Sequence, residues 1–166
     1  MRDSLRSKFA IRRLSAREQN FRGELPVKEL KRLGELLWDD SGMLEYRLAF
    51  SIGANDFVCV LGELRGFLML QCQRSLKPFA WPLATRVRTI LVASEMEEQR
   101  TDEQDDVRMC PNGEVTILDL IEDEVLLALP VVAVNSQATM PENPAAEPNA
   151  NQRSTAFSVL KSWRRK

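Results

Sequence analysis

From Leu44 to Ile52 the chain alternates apolar and polar residues with a period of two, and two longer strand-like runs follow it. A pleated strand can bury one side of that pattern and a helix cannot. In the first run Leu44, Tyr46, Leu48, Phe50 and Ile52 face one way, and Glu45, Arg47, Ala49 and Ser51 the other. Gly53-Ala54-Asn55-Asp56 then turns the chain. Phe57 to Cys72 reads as a second, longer strand, in which Gly62 and Gly66 predict a bend or a bulge. Gln73 to Pro78 is the tip of a hairpin, and Phe79 to Val92 returns from it. On the returning strand Phe79, Trp81, Leu83, Val87 and Leu91 share one face, with Ala80, Ala84, Arg86 and Arg88 on the other. Pro82 cannot donate to a ladder, which places it at an edge or a bulge.

Helical spacing brackets these strands. Ser15 to Asn20 predicts a short helix, and Pro26 opens a better one, because a missing N–H costs nothing at a first helical position. Val27, Leu30, Leu33, Leu36 and Leu37 follow at helical intervals, and Asp39-Asp40-Ser41-Gly42 ends the segment. Ser94 to Asp106 has almost no apolar residues, so residues 94–109 are expected to form an acidic loop. Pro111-Asn112-Gly113 is a turn and Glu114 to Leu118 a short strand. Asp119 and Glu122 look like a capping pair for a helix that buries Ile121, Val125 and Ala128, flanked by Leu118 and Leu129, and that Pro130 closes. Three prolines in residues 141–153 mark a linker. The expected architecture is α+β: an antiparallel β-meander of three to four strands with packed helices and flexible termini. Residues 1–140 form one domain, 141–153 a linker, and 154–166 an amphipathic basic tail.

At 166 residues, with 44% hydrophobic and 28% charged, the chain is expected to bury a core without disulfides. Its longest apolar run, Val125 to Val134, is too short for a bilayer, so no membrane partner is expected. No apolar stretch follows the charges of Met1 to Lys8, so no secretory signal is expected. Three scattered cysteines argue for a reducing compartment, and a cytoplasmic location follows. Histidine is absent, which removes Ser-His-Asp and Cys-His chemistry from this chain acting alone. Glu122, Asp123 and Glu124 are explained by the positive end of a helix dipole, and no enzymatic activity is expected.

The net charge of −1 hides a segregated pattern. Arg2, Arg6, Lys8, Arg12, Arg13 and Arg17 crowd the start, and Lys161, Arg164, Arg165 and Lys166 the end. Glu95, Glu97, Glu98, Asp102, Glu103, Asp105 and Asp106 fill a stretch whose only cation is Arg100. Basic ends of this kind suit phosphate contacts.

Three segments carry a family likeness: Gln71-Cys72-Gln73-Arg74-Ser75-Leu76-Lys77-Pro78-Phe79, the run from Asp119 through Leu129-Pro130 to Val132, and the tail Ala156 to Lys166. In order and spacing they resemble the YceD-like family, the bacterial large-ribosomal-RNA-subunit accumulation proteins. The resemblance implies a second cysteine where Ser75 stands and further cysteines after the Leu-Pro segment, enough for a tetrahedral zinc site. Ser75 breaks the first pair, and Asn135 to Met140 contains neither cysteine nor histidine. No metal and no other cofactor is therefore expected, and Cys72 reads as a small buried residue at a strand end.

The resemblance further implies a non-enzymatic factor in large-subunit ribosome biogenesis that supports 23S ribosomal RNA synthesis or accumulation. It would bind precursor RNA, an assembling large-subunit ribosomal protein, or both, with no small-molecule substrate. Arg74, Lys77, Arg86 and Arg88 are the RNA-binding candidates, with Phe79 and Trp81 as nearby rings. On the other reading the rings are core and the cations an ordinary solvated face. Phe157, Leu160 and Trp163, spaced by three and followed by Arg164, Arg165 and Lys166, are candidates for docking into a partner's groove. The alternative function is a protein-only adaptor that holds a basic ribosomal protein through the acidic loop and the tail.

Overall fold

The three alternating runs become three adjacent antiparallel strands. A computed structural model describes residues 5–15, 19–53, 56–102 and 104–136. The linker, the C-terminal tail with its six candidate residues, Arg2 and Arg17 lie outside the described residues. In chain order the elements are β1 (Lys8–Ala10), α1 (Ile11–Ser15), β2 (Gln19–Pro26), α2 (Lys31–Gly34), β3 (Met43–Ile52), β4 (Val58–Gln71), β5 (Pro78–Val92), α3 (Glu95–Glu98), β6 (Val107–Met109), β7 (Glu114–Thr116) and α4 (Ile117–Ala128). Single 3-10 turns cover Val27–Glu29 and Pro111–Gly113.

The α+β class holds, but the sheet is larger than a meander of three to four strands. Five strands lie in the order β2-β3-β4-β5-β6, and β1 and β7 make a separate antiparallel pair. The first four strands are an antiparallel meander; β6 runs parallel to β5, with Ile90, Leu91 and Val92 beside Val107, Arg108 and Met109. A parallel neighbour needs a long crossover. Residues 93–106 supply it, so the expected acidic loop is a structured connection. Within it Ser94 caps α3 by accepting from the Glu97 N–H, while the Glu97 carboxylate accepts from the Ala93 N–H at 2.7 Å. This reciprocal arrangement is close to a capping box, and it stabilises a turn that has no apolar stripe.

Gly62 and Gly66 make no bulge. The ladder is one-to-one through both, with Gly62 between Leu48 and Val87 and Gly66 between Leu44 and Leu83. Their role is close approach. A Cβ on Gly62 would lie 2.1 Å from the Arg47 carbonyl oxygen, and one on Gly66 2.7 Å from that of Met43. Pro82 meets its expectation. Ile90 donates outward to Asp106 O, and Val92 O accepts from Cys110, so even-numbered β5 residues turn their peptide groups away from β4. Strand β6 covers only residues 90–92, which leaves the missing N–H of Pro82 on an open edge.

The helices differ most from expectation. A helix at residues 11–15 stands where one was expected at 15–20, and Asn20 is already in β2. Pro26 ends β2 instead of opening a helix; the segment after it breaks at Leu30 (φ −90°, ψ 86°) into a 3-10 turn and α2. In one continuous helix the Arg32 and Leu33 N–H groups would donate to residues 28 and 29. They donate instead to Glu122 Oε1, at 2.7 and 3.3 Å. Val27, Leu30 and Leu33 are buried as their spacing implied, but Leu36 is 60% exposed. Helix α4 begins earlier than the Asp119–Glu122 pair suggested: Thr116 caps it by accepting from the Asp119 N–H at 3.1 Å.

One core results. Leu44, Leu48, Phe50, Val60, Leu64, Leu68, Leu83, Val87 and Leu91 point from one sheet face into Ile11 and Leu14 of α1, Val27, Leu30 and Leu33 around α2, and Ile117, Leu120, Ile121 and Val125 of α4. All of these helices pack against that one face.

Candidate nucleic-acid interface

Strand parity decides what the other face carries. Odd-numbered positions of β3, β4 and β5's even-numbered positions oppose the core. Register then aligns Arg22, Arg47, Glu63 and Arg86 in a row across β2 to β5. At about 4.8 Å between strands this row spans roughly 14 Å. Arg65 lies one row to one side, and Arg88, opposite Leu61, one row to the other. Glu63 holds two of the guanidinium groups, with Arg65 Nη2 at 2.8 Å and Arg47 Nη1 at 3.5 Å. Asp105 lies 3.8 Å from Arg88. Among the described residues Arg22 and Arg86 have no ion pair. The five arginines face three glutamates, Glu24, Glu45 and Glu63, and no lysine shares the surface.

Phe67 belongs to this face. It pairs with Pro82 and is 62% exposed, two residues from Arg65 on the same strand. Phe79 and Trp81, the rings expected beside Arg86 and Arg88, point the opposite way. They share the Leu83 side, where Trp81 packs against the core. The reading as core therefore fits Trp81, while Phe79 lies on the same side, half-buried and outside the core cluster. The ring among the arginines is one the sequence reading passed over, together with Arg22 and Arg65.

The four candidate cations do not form one cluster. Arg86 and Arg88 lie on the open face, while Arg74 and Lys77 lie in the turn between β4 and β5. Arg86 follows Lys77 by nine positions, about 30 Å along β5. Arg74 Nη2 donates to Asn135 O at 3.4 Å, which ties the tip to the segment after α4.

That contact is part of a clasp around Cys72. Cys72 is fully buried next to the end of β4. Its N–H donates to Lys77 O at 2.9 Å and its carbonyl accepts from Leu76, while Gln73 donates to Ala133 O at 2.9 Å. Its sulfur accepts from the backbone N–H of Asn135 at 3.4 Å and of Ser75 at 3.5 Å. The Ser75 hydroxyl is enclosed beside it and makes no hydrogen bond among the described residues. The fold thus brings residues 133–136 against the tip, at the corner where the family resemblance implied zinc. The residues present do not fit that ion: Cys72 is the one thiolate, serine is a poor zinc ligand, and the sulfur already receives backbone donors. Among the described residues no group of three or more His, Cys, Asp or Glu could hold a metal.

The Ser75 hydroxyl first, then the Asn135 and Ser75 N–H groups, pull the Cys72 thiol down to about 6, against a burial effect in the other direction. A depressed acid contributes stability that is complete above its unfolded value and is lost as pH falls through its folded value. The melting temperature of the protein should therefore climb between pH 6 and 9 relative to Cys72→Ala, then run parallel to it above 9. A constant offset across thermal melts from pH 5 to 10 would contradict a thiolate at this corner.

The acids of α4 are structural. Glu122 is 5% exposed and also accepts from Arg32 Nε at 2.8 Å. Asp123 bridges Arg32 and Arg108. Glu124 accepts from the Thr89 hydroxyl at 2.5 Å.

Comparison with known proteins finds a family match over the part of the chain that includes the clasp. The family described as "Large ribosomal RNA subunit accumulation protein YceD" matches residues 60–162. The chain belongs to this family. The match covers β4, the clasp, α4 and most of the tail. A curated relative, the large ribosomal RNA subunit accumulation protein YceD of Haemophilus influenzae, is 23% identical over 163 residues, 90% of each chain. No solved structure matches the chain significantly. No helix among the described residues is long and apolar enough to cross a membrane.

Proposed function

We propose that this protein is a non-enzymatic cytoplasmic factor that supports accumulation of 23S ribosomal RNA by binding large-subunit precursor RNA. The observation that carries the reading is the arginine-bearing face of the five-stranded sheet, over which no described helix packs. Guanidinium groups match phosphate oxygens in a planar, bidentate way, and five on one surface give RNA a wide landing area. The relative's name, which speaks of accumulation of the large ribosomal RNA subunit, supports the choice of RNA. The absence of histidine from the sequence supports a binding role over a hydrolytic one.

Binding should weaken linearly on a log–log plot against salt. Replacing Arg22, Arg47, Arg65 and Arg86 together by Ala should reduce affinity about 100-fold near 0.1 M salt. It should also flatten the slope by up to about 3, at roughly 0.7 for each lost contact with a single strand. Unchanged binding would remove these residues from the interface. Crosslinking in cells followed by sequencing of the attached RNA would test the RNA assignment itself.

A protein partner is the second reading. Its support is α3, which presents Glu95 and Glu98 to solvent around Met96, 76% exposed. A basic ribosomal protein that stays bound after ribonuclease treatment would favour it.

A further inference from the structure

The shape of the open face narrows the form of nucleic acid it can take. We propose that this face is a platform for single-stranded RNA, on which Phe67 stacks a base while Arg47, Arg65 and Arg86 hold the flanking phosphates. The inference rests on the RNA-binding reading and goes further by naming the ligand's form and the ring that reads it.

Three observations carry it. First, an exposed phenylalanine on a solvated sheet face lacks apolar cover; its β5 neighbour is Pro82. An aromatic ring in such a place, with Arg65 in the next row and Arg47 and Arg86 one row beyond, offers an unpaired base a π-face. A duplex hides its bases in the stack and leaves such a ring unused. Second, the cations on this face are all arginine, whose flat group can stack on a base as well as hold a phosphate. Glu63 fixes two of them, Arg47 and Arg65, at 3.5 and 2.8 Å, which limits the side-chain ordering left for binding. Third, the surface is bounded. Asp105 sits on Arg88 at one end of the arginine rows, with Asp102 and Asp106 lining the same hollow. Carboxylates there repel phosphate, so the strand runs from Arg86 past Arg65 to Phe67, along the β4–β5 hairpin and away from the acidic crossover.

The test compares a labelled single-stranded RNA of about 12 nucleotides with the same sequence as a duplex, by fluorescence anisotropy against the full-length protein. The single strand should bind about tenfold tighter. Phe67→Ala, at an exposed position, should leave the thermal melt within a degree or two. It should lose about tenfold for the single strand with an unchanged salt slope, as a lost stack and not a lost charge contact. Phe67→Trp should restore or exceed the parent affinity. Equal or better binding of the duplex would overturn the proposal, as would indifference of single-strand affinity to Phe67→Ala; in both cases the broader RNA-binding function would survive. A protein that binds neither form would defeat both. A ribonuclease-resistant protein partner crosslinked through position 67 would assign this face to a protein instead.

Discussion

Gly62→Ala should destabilise the protein by about 3 kcal/mol or more, and lower its melting temperature by about 10 °C for a chain of this length. The added methyl would be placed 2.1 Å from the Arg47 carbonyl oxygen and 2.8 Å from Leu48 Cδ2. The leucine tip can swing aside. The carbonyl cannot, because it belongs to β3, which is paired to β4 from Leu44 to Ile52 and to β2 on its other side. Relief therefore means parting two strands beside the core. Gly34 provides the control: it ends α2, and nothing lies within 4 Å of its added Cβ. Gly34→Ala should be neutral or gain a few tenths of a kcal/mol through reduced freedom of the unfolded chain. Equal melting temperatures for the two variants would mean that β3 and β4 do not cross as closely as described.

Glu122→Ala should cost about 3 kcal/mol, and Glu122→Gln about half of that. The carboxylate receives three donors from one short segment: the Arg32 and Leu33 N–H groups and Arg32 Nε. It serves as a cap for α2 supplied from another helix, where no local side chain caps. Alanine leaves the buried Leu33 N–H without a partner; glutamine keeps an acceptor but loses the charge. The loss is limited because the Arg32 side chain is half exposed and keeps Asp123 at 2.6 Å, so little of it comes from the ion pair. Hydrogen exchange at Arg32 and Leu33 should speed up more than exchange within β4. Protection that survives in Glu122→Ala would show that α2 holds its shape without the carboxylate.

The long hairpin was legible because its pattern is long. Strands β3, β4 and β5 repeat their period often enough to fix both extent and parity, and parity alone puts Arg86 and Arg88 opposite Leu83. The same rule applied to β4 separates Phe67 from Leu68. The apolar residues on both faces of that strand, Leu61 and Phe67 outward against Leu64 and Leu68 inward, hide the alternation there. Strand β2 was missed because only Phe21 and Leu25 mark its inner side. Strands β1 and β6, three residues each, exist only through partners far along the chain. The helix expected from Pro26 had sound spacing. What interrupts it is a carboxylate some 90 residues downstream, which no local pattern announces. The capping signal Ser94-Glu95-Met96-Glu97 was present in the sequence but was masked by the acidic composition around it. At the Cys72 corner the missing cysteines were plain. That residues 133–136 nevertheless return to the tip depends on the length and direction of α4, which only three-dimensional packing reveals.

The borrowed cap on α2 and the pairing of Lys8 with Thr116 impose an order on synthesis. The first strand has no neighbour, and Leu33 no acceptor, until residues 114–122 have left the exit tunnel. The hairpin β4–β5, whose contacts are local, can close well before that. A nascent chain halted before residue 114 would thus display a half-built sheet with its leucine face open to chaperones, and release of the last third would complete the N-terminal third at the same moment.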